Sequence, residues 1–324
     1  MGNGPESLRS IGEPLSPKEI RDKTRRIFID YALKSSHILN PMVRDGQGRA
    51  SLGSVPGRPN DEQLAIDAIG EHVLTSLIRD NGLPALVLGE HNTYDFSDGK
   101  PEVIFPIDAF DNTSEYKRGL DTPVYSVLGG YNPDGSPIGS VTVDIREQRA
   151  FVSIRKENYI LDVSSPHMPP LTKKVEPTPT RGSLKDDGLT IATYLGSNEY
   201  SLKFFEFFGK MVADMPEKAR IYPSGGSFIY AFLATGAVDA YVMFDEPNSE
   251  IVTGLPIALA AGCTAVSVNS DGSHQEYKFD PEFVTQPERY THGTVPLFIA
   301  ARTPKLRNEI IEYYARAVRT LATP

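Results

Sequence analysis

Residues 103 to 116 read Val-Ile-Phe-Pro-Ile-Asp-Ala-Phe-Asp-Asn-Thr-Ser-Glu-Tyr. The β-branched and aromatic residues Val103, Ile104, Phe105 and Ile107 predict a strand. That strand carries two carboxylates, Asp108 and Asp111, straight into Asn112-Thr113-Ser114, a run suited to starting a helix or turn. Free backbone N–H groups at such a start favour an anion, phosphate above all. One segment therefore offers hard oxygen ligands for a divalent cation beside a phosphate cradle. That is the physical requirement for metal-assisted hydrolysis of a phosphate ester. Asp-x-x-Asp before a polar turn is also common on plain protein surfaces, so the weight of the reading falls on the rest of the chain.

The chain has 324 residues, enough for one large domain or two ordinary ones. With 40% hydrophobic and 23% charged residues it can bury a core. A net charge of −9 argues against a nucleic-acid or anionic-membrane partner. It leaves room for a small phosphorylated substrate, because bound Mg²⁺ can supply positive charge locally. A single cysteine, Cys263, excludes an intrachain disulfide and a cysteine-built zinc site and fits a reducing cytoplasm. The N-terminus has no basic segment leading into an apolar core, and no apolar run reaches membrane-spanning length.

Residues 1 to 15 read as a flexible tail. Ser16-Pro17-Lys18-Glu19 is a capping box that predicts a helix to about Ser35. Residues 43 to 60 read as a long exposed loop, either a connector or a lid. A second helix is expected from Asn60-Asp61-Glu62, then a strand from Leu83 to Leu88 that ends in Gly89-Glu90-His91. Val124 to Ile160 alternates apolar and polar residues around turns at Asn132-Pro133-Asp134-Gly135 and Arg146-Glu147-Gln148, the pattern of an antiparallel meander.

Residues 162 to 187, rich in Pro, Lys, Thr and Ser, mark the expected boundary between two halves, 16–187 and 188–324. Beyond it, strands are expected at Leu189–Tyr194, Val238–Met243, Ala265–Val268 and Leu297–Ala300. Helices are expected at Leu202–Val212, after Ser224-Gly225-Gly226-Ser227, over 250–262 and from Thr303-Pro304. Phe204, Phe205, Phe207 and Phe208 are too many for one helix face, which predicts burial on several sides.

The order of these pieces is Gly89-Glu90, then Ile107-Asp108-x-Phe110-Asp111-x-Thr113, then the meander, then Ser224-Gly225-Gly226, then Asp239-Ala240-Tyr241, with Glu250 eleven residues after Asp239 and Ala261-Gly262 closing its helix. From the first helix to the last, this resembles the inositol monophosphatase and fructose-1,6-bisphosphatase superfamily of Mg²⁺-dependent, lithium-sensitive phosphatases. The resemblance implies an α/β (α+β) fold layered α-β-α-β-α, with an antiparallel-rich N-terminal sheet, a smaller C-terminal sheet and the site between the halves. It implies two or three Mg²⁺ ions, or Mn²⁺, on Glu90, Asp108, Asp111, Glu250 and the Phe110 carbonyl. Thr113 and Glu90 would steer the attacking water, and Asp61 would be the acid at the start of the second helix. Backbone N–H groups of Asn112 and Thr113 would hold phosphate, and Ser224, Gly225 and Gly226 would line the polyol side.

The resemblance also implies a cytoplasmic homodimer or homotetramer without nucleic-acid or membrane partners. The expected activity is hydrolysis of a sugar or cyclitol phosphate; the alternatives are a 3′-phosphonucleotide phosphatase and a non-catalytic relative that binds a phosphorylated ligand. There are departures from the family pattern. Gly-Glu-Glu has become Gly-Glu-His, with His91 either beside the site or simply exposed. The motif's Pro and Gly are Ala109 and Asn112, and Asn tolerates left-handed geometry. Met243 stands where the family often has a sugar-contacting acid.

Overall fold

The computed structural model describes residues 15–55, 58–154, 157–165, 171–175 and 180–321. The expected tail therefore lies, but for Leu15, outside the described residues. The first part of the chain runs α1 (Pro17–Arg44), β1 (Ser51–Val55), β2 (Arg58–Leu64), α2 (Ala65–Asn81), β3 (Ala85–Gly89), β4 (Thr93–Asp95), β5 (Val103–Asp111), α3 (Thr113–Lys117), β6 (Tyr125–Tyr131), β7 (Pro137–Asp144), β8 (Arg149–Ile154), β9 (Glu157–Asp162) and β10 (Leu171–Lys174). Its main sheet has the order β10-β9-β8-β7-β6-β5-β3-β4. Every pair in it is antiparallel except β3 with β5. The expected meander is β6 to β9.

The second part runs β11 (Thr190–Ala192), α4 (Asn198–Asp214), β12 (Arg220–Tyr222), α5 (Ile229–Thr235), β13 (Ala240–Pro247), α6 (Asn248–Ala260), β14 (Thr264–Val268), β15 (His274–Glu276), α7 (Pro287–His292), β16 (Thr294–Ala301) and α8 (Pro304–Leu321). These strands form a smaller sheet, order β12-β11-β13-β16-β14-β15.

Hydrophobic alternation builds five layers, α-β-α-β-α. Ile27, Phe28 and Tyr31 of α1 and Val73, Leu74 and Leu77 of α2 cover the outer face of the first sheet on Val87, Phe105 and Ile107. Helices α5 and α6 lie between the sheets, with Ile229, Leu233, Ile251 and Leu255 packed against Tyr125 and Val127 on one side and Tyr241 and Met243 on the other. Strand residues alternate faces, so Ala240, Val242 and Phe244 of the same β13 point to the far side. There they meet Phe204 and Phe208 of α4 and Leu306, Ile310 and Tyr314 of α8. No helix among the described residues is long and apolar enough to cross a membrane.

Three expectations need correction. Helix α1 does not stop near Ser35 but continues to Arg44, with Pro41 inside its last turns, because Leu39 and Val43 bury against Phe110 and Tyr116. The expected loop at 43–60 gives way from Ser51 to the paired strands β1 and β2, which run on to Leu64, and α2 begins at Ala65 rather than at Asn60. Helix α4 is not buried all round: Phe204 and Phe208 are buried, whereas Phe205 is 49% exposed.

Candidate active site

Asp108 and Asp111 are three apart on β5, and strict alternation would put them on opposite faces. The pairing of β5 with β6 slips between Asp108 and Asp111, as a β-bulge does, and brings both carboxylates to one side. Both end on a single hydroxyl. Ser227 Oγ lies 2.8 Å from Asp108 Oδ2 and 2.8 Å from Asp111 Oδ2. The Phe228 N–H also donates to Asp111 Oδ2 at 3.1 Å.

The chain then turns through Asn112, a non-glycine residue at φ 71°. Asparagine accepts this left-handed geometry, and its Nδ2 donates to Pro123 O at 2.9 Å. The helix that follows, α3, has only five residues. The cradle expected there rests on free backbone N–H groups more than on a helix dipole. Thr113 Oγ1 sits 2.6 Å from Phe110 O and 3.5 Å from Asp67 Oδ1.

Asp67 is the residue that sequence reasoning missed on this side. It stands in the first turn of α2, where its Oδ2 accepts the Leu64 N–H at 2.6 Å. Helix α2 reaches the strand because Gly70 has no side chain: a Cβ there would fall 2.8 Å from Ala109 Cβ. Asp61 was expected in this role, but it lies in strand β2, with its side chain outside the described residues. His91 is not exposed; its side chain is buried and its Nε2 lies 3.9 Å from Asp67 Oδ2. Glu71, also buried, accepts from Tyr94 OH at 2.9 Å and Asn92 Nδ2 at 3.3 Å.

These groups open onto a cleft of about 440 Å³. Glu90, Asp108, Phe110, Asp111, Asn112, Thr113 and Glu250 line it, as do Gly225 and Gly226. Ser224 does not, contrary to expectation; the turn of which it is part presents only its two glycines to the cleft. Ser227, which sequence reasoning passed over, is the residue of that turn whose side chain reaches both aspartates. Tyr194, Tyr200, Met243 and Asp245, from the second part of the chain, also line the cleft.

None of the described lining residues is Lys or Arg. Burial pushes the Asp108 carboxyl well up, and Asp111 and Glu90 beside it push further. Burial likewise raises Asp111. Glu250 is raised by burial and then by Glu246, Asp111, Glu90 and Asp108. A set of hard oxygen donors that repel one another suits a divalent cation such as Mg²⁺ or Mn²⁺. Among the described residues, no three His, Cys, Asp or Glu side chains stand arranged to hold a metal ion as they are. The fit is one of donor chemistry, and binding would require these side chains to turn inward.

No protein-family model matches the sequence, and no curated protein sequence matches it. The likeness is in the fold. The chain is similar to the IMPase of Thermotoga maritima, at 14% identity over 93% of this chain and 98% of that one, with a TM-score of 0.63. It is similar to inositol monophosphatase from Anabaena, at 15% identity over 90% and 96%, TM-score 0.57. It is similar also to inositol monophosphatase-II of Staphylococcus aureus, at 15% identity over 94% and 98%, TM-score 0.58. The chain thus shares its layered α/β fold with these inositol monophosphatases.

Proposed function

We propose that the protein is a metal-dependent phosphomonoesterase acting on a sugar or cyclitol monophosphate. The observation that carries this reading is the placing of Asp108 and Asp111 on one side of β5, next to the Thr113–Asp67 contact, at the edge of an open cleft. The inositol monophosphatase fold supports it, and one neighbour has been solved with inositol monophosphate bound.

Glu90, Asp108, Asp111, Glu250 and the Phe110 carbonyl would hold the metal, Mg²⁺ or Mn²⁺. The bound cation supplies Lewis-acid charge at the phosphate. The protein's own residues do the rest. Thr113 Oγ1, fixed by Phe110 O, orients a water toward phosphorus. Asp67, when ionised, is placed by the 3.5 Å contact of its Oδ1 with Thr113 Oγ1 to take the proton that passes through Thr113. Backbone N–H groups at Asn112 and Thr113 receive non-bridging phosphate oxygens. Gly225 and Gly226 leave room for the alcohol.

The absence of Lys and Arg from the described lining favours substrates with one phosphate over bisphosphates, whose second phosphate has no cationic partner there. One observation favours a second reading. Tyr194 and Tyr200 form an edge-to-face pair, 5.7 Å between centroids, on the wall of the cleft, a surface on which a nucleobase could rest. The structural neighbour from S. aureus has also been solved with 2′AMP bound. Phosphate release from inositol 1-phosphate, hexose monophosphates, fructose-1,6-bisphosphate, 2′-AMP and 3′-phosphoadenosine 5′-phosphate decides between them. Turnover of an inositol or hexose monophosphate supports the first reading, and preference for 2′-AMP the second. No turnover by a protein that binds Mn²⁺ leaves a ligand-binding role.

A further inference from the structure

The turn at residues 225–228 is wedged between two partners. On one side, Ser227 Oγ and the Phe228 N–H hold Asp108 and Asp111. On the other, the Gly226 N–H donates to Tyr241 OH at 3.2 Å, and Tyr241 OH donates to Glu246 Oε1 at 2.9 Å. The clearance is minimal on both flanks. A Cβ on Gly225 would lie 2.5 Å from Tyr241 OH, and one on Gly226 would lie 2.7 Å from Asp111 Oδ1. Ser227, Tyr241 and Glu246 are fully buried, so the Tyr241–Glu246 bond is made away from bulk water.

We propose that Tyr241 and Glu246 are positioning residues for the site. Through Gly226 they pin the turn, and the pinned turn holds Asp108 and Asp111 side by side across the bulge in β5. The assignment rests on reading these two aspartates as cation ligands. It links β13, in the second sheet, to β5, in the first, through one row of hydrogen bonds. Glu246 has a part here that no pattern in the sequence announced: it is the buried acceptor that fixes the direction of the Tyr241 hydroxyl. Tyr230 is the natural control. It packs edge-to-face on Tyr241 at 5.8 Å, is equally buried, and its hydroxyl has no hydrogen-bond partner among the described residues.

The test compares Tyr241→Phe, Glu246→Leu, Glu246→Gln and Tyr230→Phe by amide hydrogen exchange and by Mn²⁺ titration calorimetry. Tyr241→Phe should speed exchange of the Gly226 and Phe228 amides at least tenfold. It should weaken Mn²⁺ binding about tenfold, the equivalent of about 1.4 kcal/mol. Glu246→Leu should act in the same direction. Glu246→Gln, which keeps a side-chain oxygen to accept the phenol, should restore both readouts. Tyr230→Phe should change neither by more than about twofold.

The proposal is overturned if Tyr241→Phe moves the two amides no more than Tyr230→Phe does. Tyr241→Phe keeps the ring and its packing on Tyr230 and Phe298, so it decides the matter even if Glu246→Leu does not fold. If the wild type binds no Mn²⁺, the cation reading fails, and the exchange comparison still decides whether the turn is pinned.

Discussion

Thr113 and Asp67 meet behind the cleft, with Thr113 Oγ1 3.5 Å from Asp67 Oδ1 and 2.6 Å from Phe110 O. One residue opens α3, two positions past the end of β5, and the other stands in the first turn of α2, so the contact depends on the close approach of α2 to β5 at Gly70. If the hydroxyl orients the attacking water, Thr113→Ala should lower kcat about a hundredfold, in the range of positioned acid–base groups. Thr113→Ser should keep most of the activity. Steady-state kinetics with circular dichroism as a folding control would check this. Equal activity of the alanine and wild-type enzymes would remove Thr113 from the mechanism.

Gly226 has φ 121°, a backbone conformation that favours glycine, and it abuts Asp111. Gly226→Ala combines backbone strain with a clash against a buried carboxylate. It should cost about 1–3 kcal/mol of stability. It should also weaken Mn²⁺ binding, because Asp111 is displaced. Chemical denaturation and calorimetry on the same preparation give both numbers.

Burial pushes the Glu246 carboxyl up to about 8 from an ordinary 4.5. The folded protein therefore holds a proton there that the unfolded chain releases between about pH 4.5 and 8. The unfolded state binds fewer protons in that window, so this group's contribution to stability is present at low pH and is lost as pH rises toward 8. Glu246→Gln stays neutral throughout. Relative to wild type, its Tm should gain more at about pH 8.5 than at about pH 5.5. A difference that does not change with pH would contradict the assignment.

Cys263 is buried, and its thiol is pushed up to about 12 by that burial. The thiolate is the reactive form, so the native protein should be inert to iodoacetamide at pH 8. In denaturant the same thiol should react fully. Mass spectrometry of the two samples reads the difference.

Much of this architecture was legible in the residues. The alternation from Val124 to Ile160 and the β-rich run at 103–111 reported their strands directly, because each strand buries one face or both in a fixed period. Asn112 in place of the motif's glycine was tolerable for the reason the structure displays, a left-handed turn. The hairpin β1–β2 was not legible. Arg58-Pro59-Asn60-Asp61-Glu62-Gln63 has no apolar alternation, and its acids look like the start of a helix. The acid expected at the start of the second helix was therefore Asp61, whereas the acid in the first turn of α2 that meets Thr113 is Asp67. Ser227 was missed for a different reason. Its contact with Asp108 spans 119 positions and depends on how α5 seats between the sheets, which no local pattern encodes. The Tyr241–Glu246 bond lies within one strand, but its purpose appears only when the turn at 225–228 is laid against it.

The central claim is that Asp111 helps hold a cation that a phosphomonoesterase needs. The direct test is phosphate release from inositol 1-phosphate and a hexose monophosphate by wild type and Asp111→Asn, each with Mg²⁺ and with a chelator. Wild-type turnover that requires Mg²⁺, with loss of at least a hundredfold in Asp111→Asn at unchanged secondary structure, is the predicted result. Turnover that survives either the chelator or the Asp111→Asn substitution would contradict the account.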